Sequence, residues 1–279
     1  MRYALISLFI FKLSVLNLIA SDNYPVGARS AGVANASVTY SDLWSAFNNQ
    51  GGLAQLKGIS AGAYYENEFL VPDLSLKSFV FALPADKAGV FALSATQFGG
   101  TLYNETKAGL AYSKQLGEKF SAGIQLDYLS THIANDDGGY VYGTTNTFTV
   151  EGGFIAEPIN NLTIGLHIFN PTRAKLAVYN DERVPTSVCF GGSYKFSEKV
   201  LLSSEIEKDG GENNIFKAGL EYHIVEQVFL RGGVASNPSL SSFGFGFKLK
   251  QLQVDLASTY HQVLGFTPQI SLVYNFKSE

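Results

Sequence analysis

Between residues 57 and 276 apolar and polar residues take turns. Phe243, Phe245, Phe247 and Leu249 are interleaved with Ser242, Gly244, Gly246 and Lys248, and Leu252, Val254 and Leu256 with Gln253, Asp255 and Ala257. Leu162, Ile164, Leu166 and Ile168 alternate with Thr163, Gly165 and His167, and Phe216, Ala218, Leu220 and Tyr222 with Lys217, Gly219, Glu221 and His223. The last stretch sets Ile270, Leu272, Tyr274 and Phe276 against Gln269, Ser271 and Asn275, with Val273 the apolar exception. A period of two is the repeat of a β-strand, whose successive side chains point to opposite faces. The pattern predicts about fourteen strands, at 58–66, 74–83, 88–97, 105–113, 119–133, 145–157, 162–169, 186–196, 200–207, 215–223, 227–235, 241–249, 251–260 and 267–276. The second of these ends in a continuous apolar run, Phe79 to Leu83, and the eighth is mixed, so these two alternate least cleanly.

The links between strands differ by parity. After even-numbered strands they are tight, as at 84–87, 158–161 and Lys250; after odd-numbered ones they are longer and more polar, as at 134–144, 170–185 and 208–214. Short turns on one side and long loops on the other belong to a barrel that crosses a membrane. Two packed soluble sheets have no reason to segregate loop lengths in this way. The expected fold is therefore all-β: a transmembrane, antiparallel, up-and-down β-barrel of about 14 strands over 57–276. An even strand number leaves both chain ends in the periplasm and turns the long loops outward. A Lys or Arg on the lipid face costs about 2–4 kcal/mol at mid-membrane. Asp127, Glu151, Glu205, Lys217, Glu221, Arg231, Lys248 and Asp255 are accordingly expected to line the lumen. Tyr128, Tyr222, Tyr260, Tyr274 and Phe276 share the apolar faces and suit interfacial girdles.

Composition is consistent with this. The chain has 279 residues, 46% apolar and only 16% charged, with 28 Gly, 21 Phe and 15 Tyr. Charge is well below the roughly 25% of an ordinary soluble domain. Mean hydropathy is just +0.08, and past the N-terminus no apolar run reaches the length of a spanning helix. A net charge of −4 argues against nucleic acid as a partner. The lone Cys189 sits in an apolar run and allows neither an internal disulfide nor a metal site by itself. His132, His167, His223 and His261 lack metal-pair spacing, and no serine sits in a nucleophile-elbow context, so no catalytic residue, metal or cofactor is expected. An outer-membrane enzyme would need something like His132 with Asp136 and Asp137 converging at a rim. Residues 1–20 begin with Arg2, carry an apolar middle and end on Ala20, which predicts a secretory signal peptide cleaved there and export to the outer membrane.

Residues 21–56 do not alternate. Ser41 or Asp42 could cap a short helix over 43–47, ended by the Gly51-Gly52 pair. A barrel of this width needs something inside it or it conducts, and a small-residue, apolar stretch directly before the first strand suits a plug, a periplasmic tail packed under the barrel being the alternative. The stretch Gly27-Ala28-Arg29, the small residues after it, Asp42, and Asn49 with Gly52-Leu53-Ala54 resemble the N-terminal signature of the FadL/PorV-type outer-membrane proteins, most nearly the PorV/PorQ branch of Bacteroidetes. Gln50 and Gly51 depart from the Pro-Ala usual in that signature. The resemblance implies a fourteen-stranded barrel with an N-terminal hatch built on Gly27, Ala28, Arg29, Asp42, Asn49, Gly52 and Leu53. It also implies a non-enzymatic role that supports secretion-system proteins or their cargo (type IX secretion) at the outer membrane. A FadL-like channel for apolar small molecules and a structural or adhesive barrel are the alternatives. An apolar lumen path would favour transport. An apolar outer rim, for which Leu176, Ala177, Val178 and Tyr179 are candidates, would favour partner binding.

Overall fold

The computed structural model describes residues 23–134, 141–176, 183–210 and 213–276. The expected signal peptide lies outside these residues. Fourteen strands form: β1 (Ser60–Asn67), β2 (Ser75–Pro84), β3 (Val90–Gly99), β4 (Tyr103–Gly117), β5 (Phe120–Ala134), β6 (Val141–Ile159), β7 (Leu162–Phe169), β8 (Ser187–Ser197), β9 (Val200–Asp209), β10 (Ile215–Val225), β11 (Val228–Ala235), β12 (Leu240–Leu249), β13 (Leu252–His261) and β14 (Gly265–Asn275). Each pairs antiparallel with its sequence neighbours, and β1 pairs with β14 from Ser60↔Asn275 to Glu66↔Gln269, so the sheet closes on itself. Closure pairs every strand on both sides, as a wall in contact with lipid requires; beyond Glu151 the outer end of β6 continues past β7.

Each predicted strand corresponds to one of these. The largest boundary differences are at β4 and β6. Both continue past their clean alternation because β5 pairs with them over its whole length, from Tyr103↔Ile133 to Gly117↔Phe120 on one side and from Phe120↔Ala156 to Ala134↔Val141 on the other. Phe243, Phe245 and Phe247 face outward, while Ser242, Gly244 and Gly246 face in and are buried. The continuous run in β2 resolves the same way. Phe79 and Leu83 are exposed on the outer face, while Val80 and Ala82 are fully buried on the inner one. The run is apolar on both faces because that part of the wall has lipid-type contacts outside and apolar contacts inside.

The tight links gather at one end. At Asn161 and Lys250 the two-residue turns use a positive φ, 70° and 54°, which lets a hairpin reverse within two residues. At the other end β7 stops at Phe169 while β6 runs on, because their pairing ends at Glu151↔Phe169. Asn170 (φ 46°) turns the chain out of the wall. Its amide donates to the carbonyls of Val184 (2.7 Å) and Pro185 (3.3 Å), and its Oδ1 accepts from Ala174 N–H (3.0 Å). This folds the β7–β8 loop back so that Leu176 packs with Leu129, Phe169 and Val184. Leu176 is therefore buried and forms no exposed rim. Ala177, Val178 and Tyr179 lie outside the described residues.

Residues 23–56 run within the ring. They carry two one-turn helices, α1 (Ala28–Ala31) and α2 (Ser45–Asn48), and a 3-10 turn at Gln50–Gln55. The Gly51-Gly52 pair belongs to this 3-10 turn and does not end α2. Asn49 ends it with an extended backbone, and its Oδ1 accepts the Gly51 N–H at 3.1 Å to start the next turn. Inward-facing glycines receive the segment all round the wall: Gly219 and Gly233 meet Val33, Gly165 meets Val38, Gly123 meets Gln50, and Gly244 meets Gly32.

Candidate functional site

The lumen is the candidate site, and the N-terminal segment forms half of it. Gly27 takes φ 111°, and a Cβ there would sit 2.7 Å from Trp44 Cγ. At Gly52 a Cβ would overlap the Tyr40 carbonyl and the Ser45 side chain. Ala28 and Leu53 are fully buried. Asp42 accepts from Trp44 N–H through Oδ1 and from Arg29 Nη1 through Oδ2, both at 2.9 Å. Asn49 Nδ2 donates to the Val38 carbonyl (2.6 Å) and to the Phe154 carbonyl of β6 (3.2 Å). The motif residues thus fold the segment on itself, and two of them, Arg29 and Asn49, also tie it to the wall.

Arg29 lies at the centre of the first ionic cluster. Its Nε and Nη2 grip both oxygens of Glu221 at 2.9 and 2.8 Å. Glu221 also accepts from Arg231 Nε at 2.6 Å, and Arg231 Nη1 donates to Asp255 at 2.7 Å. Tyr40 lies 4.4 Å from the Arg29 guanidinium. Burial alone would lower the Arg29 pKa, but the carboxylates of Glu221 and Asp42 hold it well above the ordinary guanidinium value. Burial, then the charge of Glu221, pushes the Tyr40 phenol up to about 12. Both groups therefore keep one protonation state at neutral pH.

A second cluster joins β4 to β7. Lys107 Nζ stands 2.8 Å from Glu151 and 4.0 Å from Asp127, and His167 Nε2 stands 2.9 Å from Glu151. In the third cluster, Lys217 Nζ lies 2.9 Å from Glu205 and 2.5 Å from Glu207. Glu205 in turn accepts the Ser37 and Val38 backbone N–H groups at 3.0 and 2.8 Å. Cys189 lies beside Glu205 and Glu207. The Lys217 ammonium already supplies the positive charge that this acidic pair needs, so the group is held by an internal ion pair.

Of the eight charges expected in the lumen, Asp127, Glu151, Glu205, Lys217, Glu221, Arg231 and Asp255 are buried and fall into these three clusters. Lys248 is different. It shares the inward parity of β12 but is exposed, beside the Lys250-Gln251 turn. Sequence reading missed Lys107 and the role of His167. In β4 the outward positions include Thr106 and Ala108, so alternation there is too faint to set Lys107 apart as inward-facing. His132 Nδ1 is 2.9 Å from Thr144 Oγ1, and Asp136 and Asp137 lie outside the described residues.

The opposite wall carries an apolar stripe. Tyr64 of β1, Leu76, Val80 and Ala82 of β2, Val90, Ala92 and Phe98 of β3, and Val273 of β14 form one buried cluster with Leu43, Trp44 and Phe47 of the N-terminal segment. Tyr24 stacks on Phe98 with centroids 4.7 Å apart. Ser60 of β1, Ser75 and Ser78 of β2 and Ser94 and Thr96 of β3 interrupt this stripe, and on β14 Val273 is joined by the buried Thr267, Gln269 and Ser271. At the outer rim of the same wall Leu70 and Val71 of the β1–β2 link and Val263 and Leu264 of the β13–β14 link are exposed, Val263 by 84%. The two links meet, since Phe69 N–H donates to Thr267 Oγ1 (3.1 Å) and its ring lies 6.0 Å from that of His261.

No protein-family model matches the chain, and no curated protein matches it by sequence. Its fold is similar to that of solved outer-membrane barrels. The Pseudomonas putida toluene transporter TodX superposes with a TM-score of 0.68 at 13% identity, covering 92% of this chain and 100% of that one. The CymD monoaromatic hydrocarbon channel gives 0.67 at 14%, covering 91% and 98%. A Pseudomonas aeruginosa FadL homologue gives 0.63 at 13%, covering 90% and 98%.

Proposed function

We propose that this chain is a non-enzymatic channel of the bacterial outer membrane that admits apolar small molecules, with residues 23–56 as its plug. The observation that carries the reading is the two-sided lumen. On the side of β4–β13 the segment is held by salt bridges and hydrogen bonds that define one position. On the side of β1–β3 it meets a stripe of apolar side chains, broken by serines and Thr96, that would solvate an apolar cargo once Trp44 and Phe47 moved aside. The likeness to a toluene transporter and a monoaromatic hydrocarbon channel supports the same class of cargo.

Cells lacking the protein should take up radiolabelled toluene more slowly. Wild type should restore the rate and Val80→Asn, which puts an amide into the stripe, should not, provided its heat-modifiable band on gels is normal. Equal uptake with and without the protein sinks the proposal. A second reading, the PorV/PorQ-like support of secretion-system proteins or cargo, draws on the exposed rim. Lys77 and Gln97 face outward just below it and mark the edge of the lipid-facing belt, so Leu70 and Val71 stand in water. Loss of surface-attached proteins with unchanged uptake would select that reading.

A further inference from the structure

On the outer face of β3–β7 the wall is dented. The hollow encloses about 680 Å³, and its floor is Gly152 of β6. In the row of outward residues across β4–β7, Tyr112 pairs with Ile124, Ile124 with Gly152 and Gly152 with Ile168. Gly152 is the one position of that row without a side chain. Val150 and Phe154 flank it along β6. A Cβ there would meet nothing closer than the Gly123 carbonyl at 3.4 Å, so a side chain would fit without a clash. Close packing inside the barrel does not explain the glycine, because the segment within touches Gly153 and Gly123. Toward the outer end the hollow reaches Pro171, where β7 has left the wall and β6 runs on beyond its last pair with β7.

We propose that this hollow is a binding site for one acyl chain of a membrane lipid. The proposal rests on the reading of the barrel as membrane-embedded. The outward side chains framing the hollow are apolar, and Ile124, the most projecting of them, is 67% exposed. Along the strands the hollow is continuous with the belt of Phe, Leu and Ile that faces lipid, so the matter that fills it is hydrocarbon. A smooth belt exchanges its lipids freely. A slot deeper than the belt and walled by Ile124, Phe154 and Ile168 holds a chain along most of its surface and slows its exchange. Two other dents of the belt are smaller, one of about 480 Å³ over Gly192 and one of about 370 Å³ between Phe243 and Phe245.

The test is native mass spectrometry of full-length protein gently extracted from its own membranes, with a diazirine-bearing phospholipid as a second probe. Wild type should keep one lipid at collision energies that strip the rest, and cross-links should concentrate on peptides containing Ile124, Val150 and Ile168. Gly152→Leu, which fills the slot, should lower retention at least tenfold, while Gly192→Leu should leave it unchanged. Equal retention in wild type and Gly152→Leu, cross-links spread evenly around the barrel, or a retained species that is not a lipid would each overturn the site. Failure of the membrane-barrel reading shows separately, as the absence of a heat-modifiable band in the outer-membrane fraction.

Discussion

Single residues decide how the N-terminal segment and the wall meet. Where they touch most closely the wall offers glycine, as at Gly219 and Gly233 against Val33; a methyl group at either would overlap the segment's backbone. Charges do the complementary work. Arg29 and Glu221 compensate each other, because an unpaired buried charge costs several kcal/mol. Glu68, in the β1–β2 link, has no cationic partner among the influences on it. Burial first, and then the charge of Glu66, raises its pKa from 4.5 to about 7. A carboxyl whose pKa is higher folded than unfolded stabilises the fold below the unfolded value, and that contribution is lost as pH rises through the folded one. The heat-mobility transition in detergent should therefore fall as pH rises from 4.5 to past 7, and Glu68→Gln should flatten that part of the profile.

Elements were legible to different degrees. Strands whose outer residues are large and inner ones small or charged, such as β12, declare themselves, because lipid on one side and polar lumen on the other impose period two. β2 reads ambiguously because its inner face packs on Leu43, Trp44 and Phe47, and so is as apolar as its outer one. The N-terminal motif was visible as a pattern, but what it touches was not, since the approach of Arg29 to Glu221 spans 192 positions. The inward fold of the β7–β8 loop could not be foreseen either. It depends on Asn170 satisfying carbonyls 14 and 15 residues away. Face assignment makes a direct prediction on β13. Val254→Arg puts a charge toward lipid at a cost of about 2–4 kcal/mol and should abolish the heat-resistant band. Asp255→Asn, which weakens one contact of Arg231, should leave the band in place.

For the molecule as a whole, residues 23–56 are held by ionic and hydrogen-bonded attachments on one side and by apolar packing on the other. Arg29→Ala removes the largest attachment and leaves Glu221 with Arg231 and His223, and truncating one partner of a buried pair costs about 3–5 kcal/mol; the partial exposure of Arg29 puts this case at the lower end. Planar-bilayer recordings should show frequent openings in this variant against a nearly silent wild type, with the barrel itself intact on gels. A silent variant would mean that the apolar side alone keeps the segment seated.

The seam between β1 and β14 has a consequence for biogenesis. Ser60 Oγ donates to Asn275 Oδ1 at 2.8 Å across 215 positions of chain, so the ring cannot shut until the final strand has been made and delivered. Until then the two unpaired borders stand open, and the Phe- and Leu-rich outer face has no lipid to cover it, a combination prone to misassociation. Loss of the last dozen residues would strike at the moment of completion, leaving a nearly whole wall that cannot join up.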